Sequence, residues 1–174
     1  MTPTTDAGSP EAAARRQIHD ALLSYCRGID RLRPEIISAA FHPGAMLHDY
    51  GAEPMSIEQF AEHAPGTLKR KFAATQHRIA NTTIELDSSD SDEERGATVE
   101  SYVLAYHWEA TADVGRLHTF NGRYIDRFAE RDGRWKIVQR HLRVDWSKVE
   151  SVEATMGDRW VPSGRGNDPD PLWG

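Results

Sequence analysis

Four strand-like stretches, at about 74–87, 97–110, 116–130 and 134–146, follow one another with no helical pattern between them, and most of the chain before them reads as helix. The segments that separate them, SSDSDEERG, TADVG and ERDGR, are turn-type clusters rich in Gly, Asp and Ser. Consecutive strands joined this way pair antiparallel, and helices that arrive as one block have a single sheet face to cover. The order therefore predicts an α+β fold: a curved, mostly antiparallel sheet with three helices. A length of 174 residues fits one domain with its own core. No internal repeat is present.

The helical part begins after a leader, residues 1–10, expected to be disordered. From Glu11 the run EAAARRQIHDALLSYCRGID is rich in good helix formers. Ile18, Leu22, Tyr25 and Ile29 recur at the 4-3-4 spacing of one helical face, with Gly28 and Pro34 read as marking its end. Pro34 suits the first turn of a second short helix, EIISAAFH, stopped by Pro43-Gly44. A short strand at 45–50 and a third helix at 56–63, capped by Ser56, complete this part. The domain is expected over 11–147. The remainder, 148–174, is too rich in Pro, Gly and Asp for a regular element.

Bulk properties remove several function classes. The net charge of −6 argues against a nucleic-acid partner, because phosphate binding wants a basic face. No apolar run approaches the 18 or so residues of a membrane span. The start lacks the basic and apolar regions of a secretory signal, and the single Cys26 has no internal partner, so a reducing, cytoplasmic setting is expected. There is no HExxH helix, GxGxxG turn, P-loop or GxSxG elbow, and the eight histidines are scattered. Neither a metal nor an organic cofactor is expected.

Strand alternation selects the candidate residues. In the last strand Val138, Leu142, Val144 and Trp146 share one face with Arg140. A guanidinium on an apolar face needs a carboxylate, a ring or an anionic ligand. One strand earlier, His118, Phe120, Gly122 and Tyr124 share the face read as inward. His77 alternates in phase with Ile79, and histidine is the commonest general base. Tyr25 lies on the first helix's stripe, and Asp30 just beyond it. Five residues rotate an ideal helix by about 140°, so Tyr25 and Asp30 converge only if that helix ends or bends near Gly28.

The Tyr25-x4-Asp30 pattern in SYCRGIDRL, the segment TQHRIANTTIEL, and the stretch FNGRYIDRFAERDGRWKIVQRHLRVDW together resemble the SnoaL-like branch of the NTF2-like superfamily, over about residues 12–147. The likeness extends to its scytalone dehydratases, hexachlorocyclohexane dehydrochlorinases and bile-acid 7α-dehydratases. The resemblance implies a cone-shaped α+β barrel of the NTF2-like, cystatin-like kind, with a pocket inside and a trimer or dimer as the usual oligomer. It implies Asp30 and His77 as an acid–base dyad, Tyr25 as a pocket tyrosine, and Arg140 as an inward arginine on the last strand. A second pocket histidine falls on His118 or His107. Phe41, Phe60, Phe72, Phe120, Tyr106 and Trp108 are the aromatics available for the walls.

The activity implied is a cofactor-independent, dehydratase-like lyase acting on a hydrophobic cyclic small molecule. An isomerase or cyclase of a steroid- or polyketide-like substrate would reuse the same base. Outside the enzymes, the fold also serves small-molecule binding and assembly subunits.

Overall fold

The computed structural model describes residues 8–88, 94–111, 114–153 and 164–173. Helix α1 (Pro10–Arg31) is capped by Ser9, whose side chain accepts from the Ala12 N–H. The predicted stripe is its buried face: Ile18, Leu22, Tyr25 and Ile29 are each no more than 2% exposed. Gly28 does not end the helix. The chain runs on to Arg31 and stops at Leu32, which adopts the left-handed conformation at φ 55. Gly28 instead lets the backbone of the short helix α2 (Pro34–Ala39) approach, since a Cβ there would stand 2.7 Å from the Ile37 nitrogen.

Strand β1 (Phe41–His48) starts earlier than expected, taking in Pro43-Gly44 where a helix stop was read, and the two-residue β2 (Met55–Ser56) pairs with it. Helix α3 (Ile57–Lys71) opens with a capping box, Ser56 and Gln59 each bonding the other's backbone N–H. It continues past Pro65, well beyond the expected end at His63.

Then come β3 (Ala74–Leu86), β4 (Gly96–Glu109), β5 (Gly115–Arg131) and β6 (Arg134–Val152). The six strands form one sheet in the order β2-β1-β6-β5-β4-β3, antiparallel except for the β1–β6 pair. This is the expected α+β architecture, three helices on a curved sheet. The sheet does not close: β2 and β3 are its edges, and α1 spans the concavity by packing on β3 and β6. Among the described residues no helix is long and apolar enough to cross a membrane.

Two departures matter for the site. The register of β6 against β5 slips twice, at Val138 and at Asp145. Each bulge inverts the alternation, so Ile137 rather than Val138 shares the inward face with Arg140, and Trp146 turns to the outer face. In addition, 148–152 continues β6, and 164–173 includes a buried residue, Arg165. Of the leader, residues 1–7 lie outside the described residues, as do 154–163 of the tail.

Candidate active site

A cavity of about 300 Å³ lies between the concave face of the sheet and the helices α1 and α3. Its walls are mostly apolar, with Ile29 from α1, Phe60 and Leu68 from α3, and Val103, Phe120 and Leu142 from the strands. The few polar groups come from Tyr25, Tyr50, Thr67, His77, His107 and Asn121. Such a chamber, apolar with few polar groups, is the usual form of a small-molecule site.

Asp30 and His77 meet. Asp30 sits at the end of α1, where it faces the edge strand β3. One carboxylate oxygen lies 2.7 Å from the ring Nδ1 of His77, and the other accepts the backbone N–H of the same residue at 2.8 Å. A carboxylate only accepts, so Nδ1 carries a proton, and in the neutral ring the lone pair is left on Nε2. His77 is itself a cavity wall, whereas Asp30 stands behind it. The helix therefore does not have to bend: Tyr25 reaches the cavity directly, and Asp30 is linked to it only through His77.

Tyr25 is 1% exposed, and its hydroxyl is 3.3 Å from that of Tyr50. Burial raises the pKa of both phenols, keeping them protonated donors. His107 faces His77 across 5.3 Å between ring centroids and is flanked by Phe72 and Phe120. Its Nε2 makes no hydrogen bond within the described protein. Burial, and then the neighbouring His77, lower its pKa to about 4, so it is neutral at physiological pH.

The remaining candidates are placed differently. Arg140 is not a cavity wall. It is fully buried beneath the site, with Nε and Nη2 each 2.7 Å from the two oxygens of Asp126. Its guanidinium lies 4.4 Å from the Tyr25 ring centroid and 4.0 Å from that of Tyr124. A core ion pair with Asp126 thus answers the charge, in place of a ligand. His118 follows the inward alternation but lies outside the cavity, bonded to Glu109 Oε2 at 2.7 Å and edge-on to Phe72. Phe120 and Phe60 line the chamber, while Phe41 and Phe72 pack in the core beside it.

Tyr106 and Trp108 are not walls of the cavity. They fall on the other face of β4, where Arg78 covers Tyr106 and Trp108 lies over Gly115. The reason is the phase of the strand: Val103, Ala105 and His107 point inward, so the alternate residues cannot.

Sequence reasoning missed Tyr50, Asn121, Asp126 and Arg165. Asp126 had a signal, since it continues the inward phase of Phe120, Gly122 and Tyr124 and pairs in register with Arg140. Asn121 alternates with the inward residues of β5, yet it joins the cavity wall where that strand meets the Asp145 bulge. Among the described residues no cluster of three or more His, Cys, Asp or Glu side chains is arranged to hold a metal ion.

The SnoaL-like domain family model matches residues 10–141. No curated protein is significantly similar in sequence. Among solved structures, a protein from Novosphingobium aromaticivorans, provisionally named a scytalone dehydratase, shares 22% identity. Its TM-score is 0.65, over 87% of this chain and 97% of that one. A type 3 hexachlorocyclohexane dehydrochlorinase from Novosphingobium barchaimii shares 18% identity at a TM-score of 0.67, over 88% and 97% of the two chains. A protein of cystatin-like fold and unknown function from Nostoc punctiforme shares 18% identity at 0.57, over 75% and 90%. At such identities the likeness establishes a common fold.

Proposed function

We propose that this chain, which belongs to the SnoaL-like domain family, is a cofactor-independent lyase that eliminates a leaving group from a small, hydrophobic, cyclic substrate. The observation that carries the reading is the doubly bonded Asp30–His77 pair, whose imidazole forms part of the wall of an apolar chamber. A cavity of about 300 Å³ is at the lower end of small-molecule sites, which suits one or two rings.

In this mechanism Nε2 of His77 removes a proton from a carbon adjacent to the one that bears the leaving group. The C–H electron pair becomes the new C=C bond, and the leaving group departs with its bonding electrons. Asp30 holds the ring in the Nδ1–H tautomer and stabilises the imidazolium that forms. The Tyr25–Tyr50 hydroxyl pair donates to the substrate oxygen or to the departing group. If that group is hydroxide, the imidazolium returns its proton and water leaves. A positioned base supplies about 10²–10⁴ in rate, and preorganised donors in a dry chamber supply the rest. Isomerisation or cyclisation would use the same base, with no bond to a leaving group broken.

A binding protein without chemistry has no need of a carboxylate that fixes one imidazole tautomer, and the 2.7 Å contact supports the catalytic reading. The test is a panel of cyclic carbonyl compounds bearing a β-hydroxyl or β-halide, followed for elimination. For a compound that is turned over, His77→Ala and Asp30→Asn should each lower kcat at least about a hundredfold with circular dichroism unchanged. Turnover that survives both replacements overturns the mechanism.

A further inference from the structure

The segment 164–173 lies across the end of α1, and one side chain of it is driven inward. Arg165 is 6% exposed, and its guanidinium makes three bonds to groups far away in sequence. Nε donates to the Asp30 carbonyl at 3.2 Å, Nη1 to the Phe72 carbonyl at 2.7 Å, and Nη2 to the Thr75 hydroxyl at 3.4 Å. The Gly166 N–H adds a bond to the Arg31 carbonyl at 2.8 Å.

The partners are not arbitrary. The last carbonyls of a helix have no N–H donor within it, and those of Asp30 and Arg31 accept from this segment. A cation at a helix C-terminus is also favoured by the helix dipole. Phe72 and Thr75 belong to the junction between α3 and β3, and Thr75 precedes His77 by two residues. One planar group therefore ties the residue that carries the carboxylate to the stretch that carries the imidazole.

The segment is shaped to deliver it. Gly166 has φ 62, and a Cβ on Gly164 would stand 2.6 Å from the Pro169 carbonyl oxygen. Its far end is held where Trp173 lies under Arg27 and Arg33 of α1 and the following turn.

We propose that Arg165 is a positioning residue for the Asp30–His77 pair, a clamp brought by the C-terminal segment that fixes the distance between the two groups. The proposal rests on the catalytic reading of that pair only for its effect on rate. Its effect on the imidazole itself is read without any substrate.

The experiment is ¹⁵N and ¹H NMR of the full chain labelled at histidine. In the unaltered protein His77 should show the Nδ1–H tautomer and a low-field proton slow to exchange with water. Arg165→Ala should lose that proton signal and give a mixture of tautomers. Arg165→Lys, which reaches with one ammonium instead of a three-pronged fork, should restore it only in part. Guanidinium added to Arg165→Ala at non-denaturing concentration should bring the signal back. Trp173→Ala, which frees the far end of the segment but keeps the guanidinium, should weaken the signal less than Arg165→Ala does.

If Arg165→Ala does not fold, Arg165→Gln and Arg165→Lys carry the same comparison. A His77 signal unchanged on loss of the guanidinium overturns the clamp, whatever happens to thermal stability. With an active compound in hand, Arg165→Ala should lower kcat by up to about a hundredfold with KM little moved. A signal that depends on Arg165 in a protein that turns over no compound upholds the clamp and counts against the lyase.

Discussion

Arg140 and Asp126 face each other across paired strands, both completely buried, joined by two parallel hydrogen bonds of 2.7 Å. The guanidinium also lies against the rings of both Tyr25 and Tyr124, which meet edge to face. The pair thus forms the floor on which the cavity tyrosine rests. It touches Tyr25 through ring contact and does not line the cavity.

Removing one partner should therefore harm the fold before it harms chemistry. Asp126→Asn leaves a buried cation without its counter-charge, which costs about 3–5 kcal/mol. Replacing both partners, Asp126→Leu with Arg140→Met, should recover most of that loss, since two apolar groups need no desolvation. Urea unfolding of the single and double variants checks this. A single variant as stable as the parent would show that the pair contributes nothing.

His107 supplies a pH dependence. Its pKa of about 4 in the folded chain, against 6.5 ordinarily, means that folding prefers the neutral ring. Above about pH 6.5 neither state holds the proton and nothing is lost. Between that pH and 4 the unfolded chain takes up a proton that the folded chain refuses, so stability falls as the pH falls. Below 4 the loss is complete. The whole span corresponds to about 3 kcal/mol, reduced to about 2 by partial solvent contact. Urea midpoints at pH 7.5 and 4.5 should show His107→Gln losing less stability than the parent by that amount. Equal losses would mean that His107 titrates normally in the folded state.

Much of this architecture was legible because it rests on periodicity. The stripe from Ile18 to Ile29 is buried as its spacing requires, and the inward phase of Phe120, Gly122 and Tyr124 holds. What failed is where period two is interrupted. The bulges at Val138 and Asp145 change the facing of β6 with no signal in composition, and they carry Trp146 outward. Tyr106 and Trp108 failed for another reason. The largest apolar side chains of β4, Leu104, Tyr106 and Trp108 with Tyr102, share the outer face, while the apolar residues of the inward face are only Val99, Val103 and small ones, so hydrophobicity pointed to the wrong side. Arg165 was invisible, because its partners are two backbone carbonyls and one hydroxyl at separations of 90 to 135 residues. The two carbonyls have no side-chain signature, and one threonine hydroxyl is too common to single out.

Asp30→Asn tests the tautomer. The carboxylate accepts two hydrogen bonds, one from the backbone N–H of His77 and one from Nδ1. An amide has one oxygen and one NH₂, so it cannot accept both. If its oxygen takes the backbone N–H, the NH₂ faces Nδ1 and drives the ring proton to Nε2, the position that must act as base. The expected loss in kcat is on the order of 10²–10⁴, as large as removing the base. Imidazole ¹⁵N shifts should report the changed tautomer directly. A loss below about fivefold would remove the carboxylate from the mechanism.

Gly28→Ala sets two opposed effects against each other. Alanine is the better helix former by about 1 kcal/mol in a helix interior. At this position, however, its Cβ would meet the backbone of α2, 2.7 Å from the Ile37 nitrogen and 3.0 Å from the Ile36 carbonyl carbon. Backbone atoms cannot rotate away as a flexible side chain does, so α1 and α2 must separate. Overpacking of this kind costs about 1–3 kcal/mol, and the steric effect should win, lowering the melting temperature. Because Asp30 lies two residues further along the displaced helix, the same change should weaken the low-field Nδ1–H signal of His77. A variant that melts higher than the parent would show that the two helices have room to spare, and that α1 is not held at the distance the Asp30–His77 contact requires.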